Sequence, residues 1–417
     1  MLNVSKFGQK IAAVSGIGRL MDDLGSAISN DSHICMLGGG NPAHIPEVQQ
    51  NFRRCIMEML ENNDEFERVI GNYDPPQGNK RFIEAVSTLL NNEFGWNIKL
   101  KNIALTNGSQ SAFFILFNLF AGTFEGGTNK KILFPLAPEY IGYSDVGLVK
   151  NLFAANKPKI EHLDNHIFKY HIDFDQLKIT DEIGAICVSR PTNPTGNVLT
   201  DSEIEKLSAL SCANNIPLIV DNAYGTPFPN IIFTDARPIW NENIILCMSL
   251  SKLGLPAART GIVIAKEEII EMISQVNAVI NLAPGSIGAA IALNLFHSGE
   301  IIRLSRDIIK PFYQKKANDA VRQLSEQLNG IDYHIHKPEG TFFLWLWFRN
   351  LPVTDVELYR RLKEKGVLIV PGRYFFPGLK EKWRHKQECI RINYSQDEET
   401  VCKGLEIIAN EAKAAYK

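Results

Sequence analysis

The sequence has no long run of like charge. Its 417 residues carry 44 lysines and arginines against 46 aspartates and glutamates, a formal net charge of −2. This near-balance provides no general attraction for nucleic acid or for an anionic membrane surface. We therefore expect neither as a partner.

The sequence also lacks cysteines at the spacing of metal-binding or redox motifs. Its seven cysteines are scattered, odd in number and never arranged as Cys-x-x-Cys. We therefore expect reduced thiols in a cytoplasmic protein, with no disulfide framework and no metal site.

Long hydrophobic runs are missing as well. The most apolar segment, residues 112–120, is interrupted by Asn118 and is too short to cross a bilayer, so we interpret it as a core helix. The first residues lack a basic start followed by a continuous apolar stretch, and we expect no signal peptide.

Short apolar runs alternate with helical patterns between about residues 100 and 265. The strand candidates are residues 103–105, 132–134, 186–188, 218–220 and 244–246. This alternation predicts an α/β fold whose mainly parallel sheet lies between helices. Ligands of such sheets bind beyond the carboxyl ends of the strands.

A different pattern follows residue 290. A long helical stretch at about residues 301–327 precedes four strand candidates and a helix from Asp397 onward; the strand candidates are residues 333–336, 342–346, 367–370 and 390–392. We expect a smaller α+β domain here. The predicted division is an N-terminal segment (1–45) that packs with the small domain, a large domain (46–290) and a small C-terminal domain (291–417).

The most informative motif is Ser249-x-Ser251-Lys252, which closes an apolar run. A lysine amine can form a Schiff base with a phosphorylated carbonyl cofactor, and pyridoxal phosphate is the usual one. The two hydroxyls and Arg259 would then meet the phosphate, because a guanidinium suits bidentate phosphate contacts. The alternative is an ordinary surface lysine after a strand.

Two further segments begin where predicted strands end. The turn at residues 106–110 enters a helix, whose free N–H groups and dipole would suit a phosphate, although a simple capped turn is the alternative. Asp221 follows an apolar run, where a carboxylate is costly unless a cation pairs with it. A protonated pyridine nitrogen would be such a cation, and Tyr224 could reach the same ring. Alternatively, Asp221 caps the next segment.

Three other residues are candidates for ligand contacts. Asn193 lies in a loop that two prolines and a glycine make rigid, and Tyr140 offers a face for a planar ring, although aromatic residues more often pack in the core. Arg391 interrupts an apolar run, and a buried guanidinium needs an anionic partner. That partner could be a substrate α-carboxylate or an acidic residue of the protein itself.

Together and in this order, the motifs resemble those of fold-type I pyridoxal-phosphate aminotransferases. The resemblance extends from Phe7 to the C-terminal helix. It rests on Gly40-x-Pro42, Tyr73 with Gly78, Gly108-Ser109-Gln110, Tyr140, Asn193-Pro194-Thr195-Gly196, Asp221-x-x-Tyr224, Ser249-x-Ser251-Lys252, Arg259 and Arg391. One departure is that Arg259 follows Lys252 by seven residues, where many relatives have eight.

The resemblance implies a large domain with a seven-stranded-type, mainly parallel sheet and a smaller α+β domain. It also implies that Lys252, Asp221 and Tyr224 are catalytic: Lys252 bonds covalently to the cofactor, Asp221 pairs with its ring nitrogen, and Tyr224 meets its phenolic oxygen together with Asn193.

By the same resemblance, Tyr140 lies over the ring, and a substrate carboxylate binds to Arg391, Asn193 and the Gly40 backbone. Tyr73 reaches over from the second subunit of a homodimer whose active sites lie at the subunit interface. The implied phosphate contacts are Gly108, Ser109, Gln110, Ser249, Ser251, Arg259 and this Tyr73.

The implied activity is transamination by a ping-pong mechanism between small amino acids and 2-oxo acids. If the resemblance extends to substrates, these are valine with 3-methyl-2-oxobutanoate and alanine with pyruvate. Two alternatives stay open at this point: another fold-type I enzyme, either a carbon–sulfur lyase or an aminotransferase of different specificity, and a non-enzymatic cofactor-binding regulator.

Overall fold

A computed structural model describes residues 4–12, 18, 34–62 and 64–417. Two large sheets organise the described chain. The strands are β1 (Cys35–Met36), β2 (Ile103–Thr106), β3 (Gly122–Thr123), β4 (Asn129–Phe134), β5 (Phe153–Ala155), β6 (Lys159–His162), β7 (Ile167–His171), β8 (Ile183–Ser189), β9 (Leu218–Asp221), β10 (Ile244–Ser249), β11 (Gly261–Ile264), β12 (Tyr333–His336), β13 (Phe343–Phe348), β14 (Val367–Leu368), β15 (Val370–Pro371) and β16 (Cys389–Asn393).

Helices cover these sheets and connect their strands. The α-helices are α1 (Lys6–Ile11), α2 (Pro46–Glu61), α3 (Glu65–Gly71), α4 (Lys80–Phe94), α5 (Ser109–Phe120), α6 (Asp201–Ala213), α7 (Glu267–Asn281), α8 (Ile287–His297), α9 (Glu300–Arg303), α10 (Lys310–Gln327), α11 (Asp355–Glu364) and α12 (Glu398–Tyr416). A π-helical turn, Leu304–Ile309, joins α9 to α10, so the predicted helical stretch at 301–327 is nearly continuous.

The first sheet has the order β2–β11–β10–β9–β8–β4, with β3 and β5 both pairing with β4. Strands β10, β9, β8, β4 and β5 run parallel, whereas β11 is antiparallel to β10 and β2. The prediction of an α/β fold with a mainly parallel sheet is therefore confirmed, with eight strands in total. Strand β11 was not predicted.

The register of this sheet determines which side chains meet at its carboxyl edge. Asp221 pairs with Ser189 of β8 on one side and with Cys247 of β10 on the other. Strand β10 ends two residues later at Ser249. Three polar strand ends therefore lie next to one another, and the strands below them are fully buried.

The second sheet has the order β15–β16–β13–β12–β7–β6. Its β6–β7 hairpin lies in the range predicted for the large domain, yet it joins this sheet because Ile335 and His336 pair with Ile167 and Phe168. The second sheet is thus built from two distant parts of the chain. The division of the chain at residues 45 and 290 stays a prediction.

The described part of the N-terminal segment packs against C-terminal elements. Strand β1 runs parallel to β14, and the backbone N–H of Asn393 donates to the carbonyl of Leu37 at 2.7 Å. The rest of the predicted segment, residues 1–3, 13–17 and 19–33, lies outside the described residues.

Local sequence signals account for several helix boundaries. Thr200 caps α6 and forms a capping box with Glu203, whose side chain returns to the Thr200 backbone. Asp397 caps α12 through the N–H of Thr400. The start of α12 agrees with the helix predicted from Asp397 onward.

Two expected absences concern membranes and metals. In the described ranges, no helix is both long enough and apolar enough to cross a membrane, and no cluster of histidine, cysteine or acidic side chains is suited to a metal ion. All seven cysteines lie in described ranges and are free thiols.

Candidate active site

A cavity of about 350 Å³ opens at the carboxyl ends of β8, β9 and β10, between the two sheets. Twelve of the fourteen predicted site residues line it: Gly40, Ser109, Gln110, Tyr140, Asn193, Asp221, Tyr224, Ser249, Ser251, Lys252, Arg259 and Arg391. Gly108 precedes the lining residue Ser109. Tyr73 does not line the cavity and is 83% exposed, so its predicted contact with a partner subunit stays a prediction.

Lys252 projects from a 3₁₀ turn, Ser251–Leu253, just after β10. Its Nζ donates to the carbonyl of Gly40 at 2.9 Å and lies 5.3 Å from the centre of the Tyr224 ring. Burial lowers the pKa of Lys252 to about 8, and Arg391 and Arg259 act in the same direction. A low amine pKa increases the fraction of unprotonated, nucleophilic lysine near neutral pH. The alternative of an ordinary surface lysine is wrong.

Asp221 ends β9 and points into the cavity with two hydrogen bonds to its carboxylate. The hydroxyl of Tyr143 donates to Oδ2 at 2.6 Å, and the backbone N–H of Ala223 donates to Oδ1 at 3.0 Å. Burial raises the pKa of Asp221 above its usual value, although these hydrogen bonds and Lys252 oppose the rise. The bond from Ala223 shows that Asp221 also caps the following turn, as the alternative reading proposed.

Tyr143 was not predicted as a site residue. It stacks on Phe134 in an aromatic cluster, with ring centres 5.7 Å apart, and this packing holds its hydroxyl against Asp221. The only sequence signal is its position three residues after Tyr140. The contact itself joins residues 78 positions apart, which a local pattern does not reveal.

Glu139 is a second residue that sequence reasoning missed. Its buried carboxyl accepts hydrogen bonds from the backbone N–H and the hydroxyl of Ser189, at 2.9 and 2.6 Å. Burial raises the pKa of Glu139 to about 8 against these hydrogen bonds, so the group is largely protonated at neutral pH. These hydrogen bonds of Glu139 connect the turn that carries Tyr140 to the end of β8.

The hydroxyl of Tyr224 is buried and has no hydrogen-bond partner among the described residues. Its ring packs edge-on against Phe342, with centres 5.2 Å apart. A buried hydroxyl without a partner is costly. Since Tyr224 also lines the cavity, a ligand with a polar atom at this position would satisfy it.

The turn at Gly108 provides unpaired donors at one end of the cavity. Gly108 has φ +81°, which favours glycine, and helix α5 follows it directly. Within the described chain, the backbone N–H groups of Ser109 and Gln110 donate to no other group. The alternative of a simple capped turn is therefore wrong, because no side chain of the described residues caps the start of α5.

Arg259 lies beside this turn. A Cβ atom at position 108 would collide with its guanidinium, so the two are in contact only because residue 108 is glycine. Arg259 adopts a left-handed conformation, φ +47°, after the 3₁₀ turn Pro256–Ala258. This conformation brings its side chain to the cavity despite the seven-residue spacing from Lys252.

Arg391 lies on β16 at the opposite side of the cavity. It donates from Nη1 to Oδ1 of Asn193 at 2.8 Å and from Nη2 to the carbonyl of Gly38 at 2.6 Å. Its Nε is buried without a partner among the described residues. Burial lowers the pKa of Arg391 to about 10, against the opposing effect of Tyr224 and Tyr140.

No acidic side chain of the described residues forms an ion pair with Arg391. The alternative of an internal acidic partner is therefore wrong. A buried guanidinium with neutral partners and a spare donor is a suitable site for an anionic ligand.

Comparison with known proteins identifies the family. The family described as "Aminotransferase class I and II" matches residues 45–408. This chain belongs to it. The aminotransferase prediction and the fold-type I fold class are thereby confirmed.

Similar aminotransferases cover the full length of the chain. It is 51% identical to the valine–pyruvate aminotransferase of Escherichia coli K12 over 415 residues, which are 100% of this chain and 99% of the relative. The crystal structure of a putative amino-acid aminotransferase from Psychrobacter arcticum 273-4 superposes with a TM-score of 0.97 at 49% identity, covering 100% and 99% of the two chains. The valine–pyruvate aminotransferase from Salmonella typhimurium LT2 has a TM-score of 0.89 at 51% identity, covering 96% of this chain and 99% of the other.

Proposed function

We propose that this aminotransferase uses pyridoxal phosphate to transfer an amino group from valine to pyruvate, giving 3-methyl-2-oxobutanoate and alanine. The observation that carries the chemistry is one cavity that holds a lysine of lowered pKa, an aspartate of raised pKa and an arginine with no acidic partner among the described residues. The identity of 51% to a relative named for valine and pyruvate supports the substrate pair.

The donors and acceptors of the cavity fit pyridoxal phosphate. The free N–H groups of Ser109 and Gln110, the hydroxyls of Ser249 and Ser251 and the guanidinium of Arg259 suit a phosphate dianion. The unpartnered hydroxyl of Tyr224 suits a phenolic oxygen. Both ends of the cofactor therefore have matching groups on the protein, and Tyr140 would contact the ring face.

The cofactor supplies a ring that accepts electron density from a substrate α-carbon while its nitrogen is protonated. Asp221 is placed to hold that proton, because a buried carboxylate is stabilised by a cation. The hydroxyl of Tyr143 fixes the orientation of Asp221. The raised pKa of the neighbouring Glu139 keeps a second negative charge away from Asp221.

Lys252 has two tasks in this proposal. Its amine would anchor the cofactor, and once free it would move the proton at the substrate α-carbon as general base and acid. A pKa of about 8 suits both directions of proton transfer, since efficient catalysts have pKa values near the working pH.

Arg391 and Asn193 would bind the α-carboxylate, which valine, alanine and both oxo acids share. One site can therefore serve both halves of a ping-pong reaction. The unpaired Nε and the remaining Nη hydrogens of Arg391 provide the donors.

The side-chain specificity should be broad among small aliphatic substrates. Discrimination between substrates that differ by one methylene amounts to roughly 1–3 kcal/mol. We therefore expect activity with several small aliphatic amino acids, with valine among the best.

We further propose a homodimer in which Tyr73 reaches the partner's cofactor phosphate. Tyr73 is 83% exposed, and the apolar side chains of Ile70, Val279, Ile280 and Leu282 are exposed as well. A second copy would cover such apolar surface. Sedimentation at micromolar concentration tests this, with a monomer as the contradicting result.

The activity is tested with purified protein and pyridoxal phosphate, by offering each amino acid with pyruvate and measuring alanine. Valine should give stoichiometric alanine and 3-methyl-2-oxobutanoate. Strong alanine formation from another amino acid, with none from valine, would replace the substrate assignment. Release of ammonia and pyruvate from a cysteine conjugate without any transamination would favour a carbon–sulfur lyase.

A further inference from the structure

Residues 37–43, Leu-Gly-Gly-Gly-Asn-Pro-Ala, form an irregular segment beside the cavity that begins with a turn at Leu37 and Gly38, and we call it the strap. Five consecutive carbonyls of the strap accept hydrogen bonds from residues far away in sequence. The pairs are Leu37 with the N–H of Asn393 (2.7 Å), Gly38 with Arg391 Nη2 (2.6 Å), Gly39 with Asn393 Nδ2 (2.8 Å), Gly40 with Lys252 Nζ (2.9 Å) and Asn41 with Ser395 Oγ (2.8 Å).

Three of the four side-chain donors come from one face of β16 and its extension. Arg391, Asn393 and Ser395 alternate with Ile392 and Tyr394, which are fully buried in the core. Successive side chains of a strand point to opposite faces, so the polar residues share the face toward the strap. Asn393 is fully buried, and its Oδ1 accepts from the backbone N–H of Ser395 at 2.6 Å, which links the Asn393 side chain to the Ser395 backbone.

The end of the strap is held by α10. The backbone N–H of Ala43 donates to the hydroxyl of Tyr313 at 2.8 Å, and Tyr313 is almost fully buried. At the start of the strap, a Cβ on Gly38 would approach the Ile369 carbonyl to 3.1 Å. The strap therefore has little room to shift at either end.

The held carbonyls determine where the strap amides point. In a trans peptide the C=O and the following N–H point in opposite directions. Asn393 holds the Gly39 carbonyl and does not line the cavity, so the N–H of Gly40 points away from Asn393. Among the described residues this N–H has no acceptor, and Gly40 lines the cavity together with Lys252 and Arg391.

We propose that Asn393, Ser395 and Tyr313 are positioning residues that hold the strap so that the Gly40 amide meets the substrate α-carboxylate beside Arg391. The inference rests on the proposed function, in which Arg391 binds that carboxylate. None of the three residues needs to touch the substrate. They act by fixing the direction of one backbone N–H group.

Two single-hydroxyl deletions test the proposal, each with a matched control. Ser395→Ala and Tyr313→Phe remove the contacts to Asn41 and Ala43. Ser87→Ala and Tyr416→Phe remove hydroxyls that donate to backbone carbonyls away from the strap, those of Ile98 and Arg349. All variants are measured as holoenzymes for KM, kcat, melting temperature and cofactor absorption.

We expect Ser395→Ala and Tyr313→Phe to raise the KM for valine and for pyruvate by a common factor of about three to ten, since one hydrogen bond contributes roughly 0.5–1.5 kcal/mol. The inhibition constant of 3-methylbutanoate should rise by the same factor. The cofactor spectrum and kcat should match those of the controls. Ser395→Thr, which keeps the hydroxyl, should restore the wild-type KM.

A substrate without a carboxylate separates positioning from general damage. The slow half-reaction with 2-methylpropylamine should be equal in wild type and in all variants. Equal KM values for variants and controls, or an equal loss with this amine, would overturn the inference. If wild-type enzyme made no alanine from valine, the proposed substrate would fail instead, and the same comparison would be made with the amino acid that is used.

Discussion

Two lysines of this chain, the buried Lys169 and the half-buried Lys252, have opposite surroundings. Lys169 forms an ion pair with Glu339 and also donates to Asn197 Oδ1 at 3.2 Å and to the carbonyl of Val198 at 3.0 Å. Within the described part of the chain, Lys252 has one hydrogen bond, to a backbone carbonyl, and it lies over two aromatic rings beside an open cavity.

The carboxylates near these two lysines, Glu339 and Asp221, also differ in the direction of their pKa shifts. The pKa of Glu339 is lowered, because Lys169 and several hydrogen bonds outweigh the effect of burial. The pKa of Asp221 is raised, because burial outweighs its hydrogen bonds. A buried charge with all its partners stabilises the fold, whereas buried charges with unused donors next to a cavity indicate a ligand site. We therefore assign the Lys169 pair to structure and propose that the Lys252 group serves chemistry.

Removing Lys252 should give the largest effect. Lys252→Ala should lower turnover by more than about 1000-fold, since a positioned acid–base group alone contributes 10²- to 10⁴-fold and the covalent anchor is lost as well. Melting temperature should stay within a few degrees of the wild type, because only one hydrogen bond disappears. Steady-state rates and a thermal scan check both statements; turnover near the wild-type rate without added amine would remove Lys252 from its role.

Removing Lys169 should instead lower the stability of the fold and leave the activity largely intact. Lys169→Met leaves the Glu339 carboxylate buried without its main partner, which costs about 3–5 kcal/mol of unfolding free energy. Activity per folded molecule should be largely retained. Denaturant unfolding and active-site titration on the same preparation separate the two quantities.

The control is the double variant Lys169→Met with Glu339→Gln, which should recover much of the lost stability. The effect of Lys169→Met should also shrink in acid. The lowered pKa of Glu339 contributes stability above the ordinary value of 4.5, and this contribution is lost as pH falls through the lower folded-state pKa. A variant that loses activity at unchanged stability would contradict the structural role.

Asp221→Asn tests the acidic side of the cavity. Without the carboxylate, the cofactor nitrogen is no longer held protonated, so abstraction of the α-proton should slow by about 100-fold or more, while cofactor binding stays measurable. Single-turnover half-reactions with valine in wild type and variant measure this step. Equal rates would exclude the assigned role.

Arg391→Lys should have a smaller effect. The charge is kept, but the planar fork is lost. Catalytic efficiency should fall at least about tenfold, since charge-assisted hydrogen bonds contribute roughly 1.5–3 kcal/mol each. The melting temperature should change little, because Arg391 has no acidic partner to lose. A clear loss of stability with unchanged efficiency toward valine and alanine would contradict carboxylate binding.

The Lys252 group at the cavity and the Lys169–Glu339 ion pair differ in how well the sequence could predict them. Lys252 and Asp221 follow uninterrupted apolar strands, so a local pattern indicates both the strand and the polar residue at its end. The ion pair of Lys169 with Glu339 spans 170 positions, and the contact of Tyr143 with Asp221 spans 78. Such contacts depend on how the two sheets pack, which no local pattern contains.

The β6–β7 hairpin was missed for a related reason. Its residues, such as Lys159-Ile160-Glu161-His162, are largely exposed in β6 and give only a weak apolar signal. Its place in the second sheet is set by pairing with β12, far along the chain. Strand β11 is short and begins just after the Arg259 turn. Its four residues were therefore not recognised from the sequence as a strand distinct from the Arg259 motif.

We propose that Lys252, and not the buried Lys169, is the reactive amine. It is tested by mixing the cofactor-free protein with pyridoxal phosphate near pH 8, reducing with borohydride and mapping the modified peptides by mass spectrometry. The account predicts one pyridoxyl group per chain on Lys252, and none on Lys169. A group on Lys169, or stoichiometric modification that persists in Lys252→Ala, would contradict it.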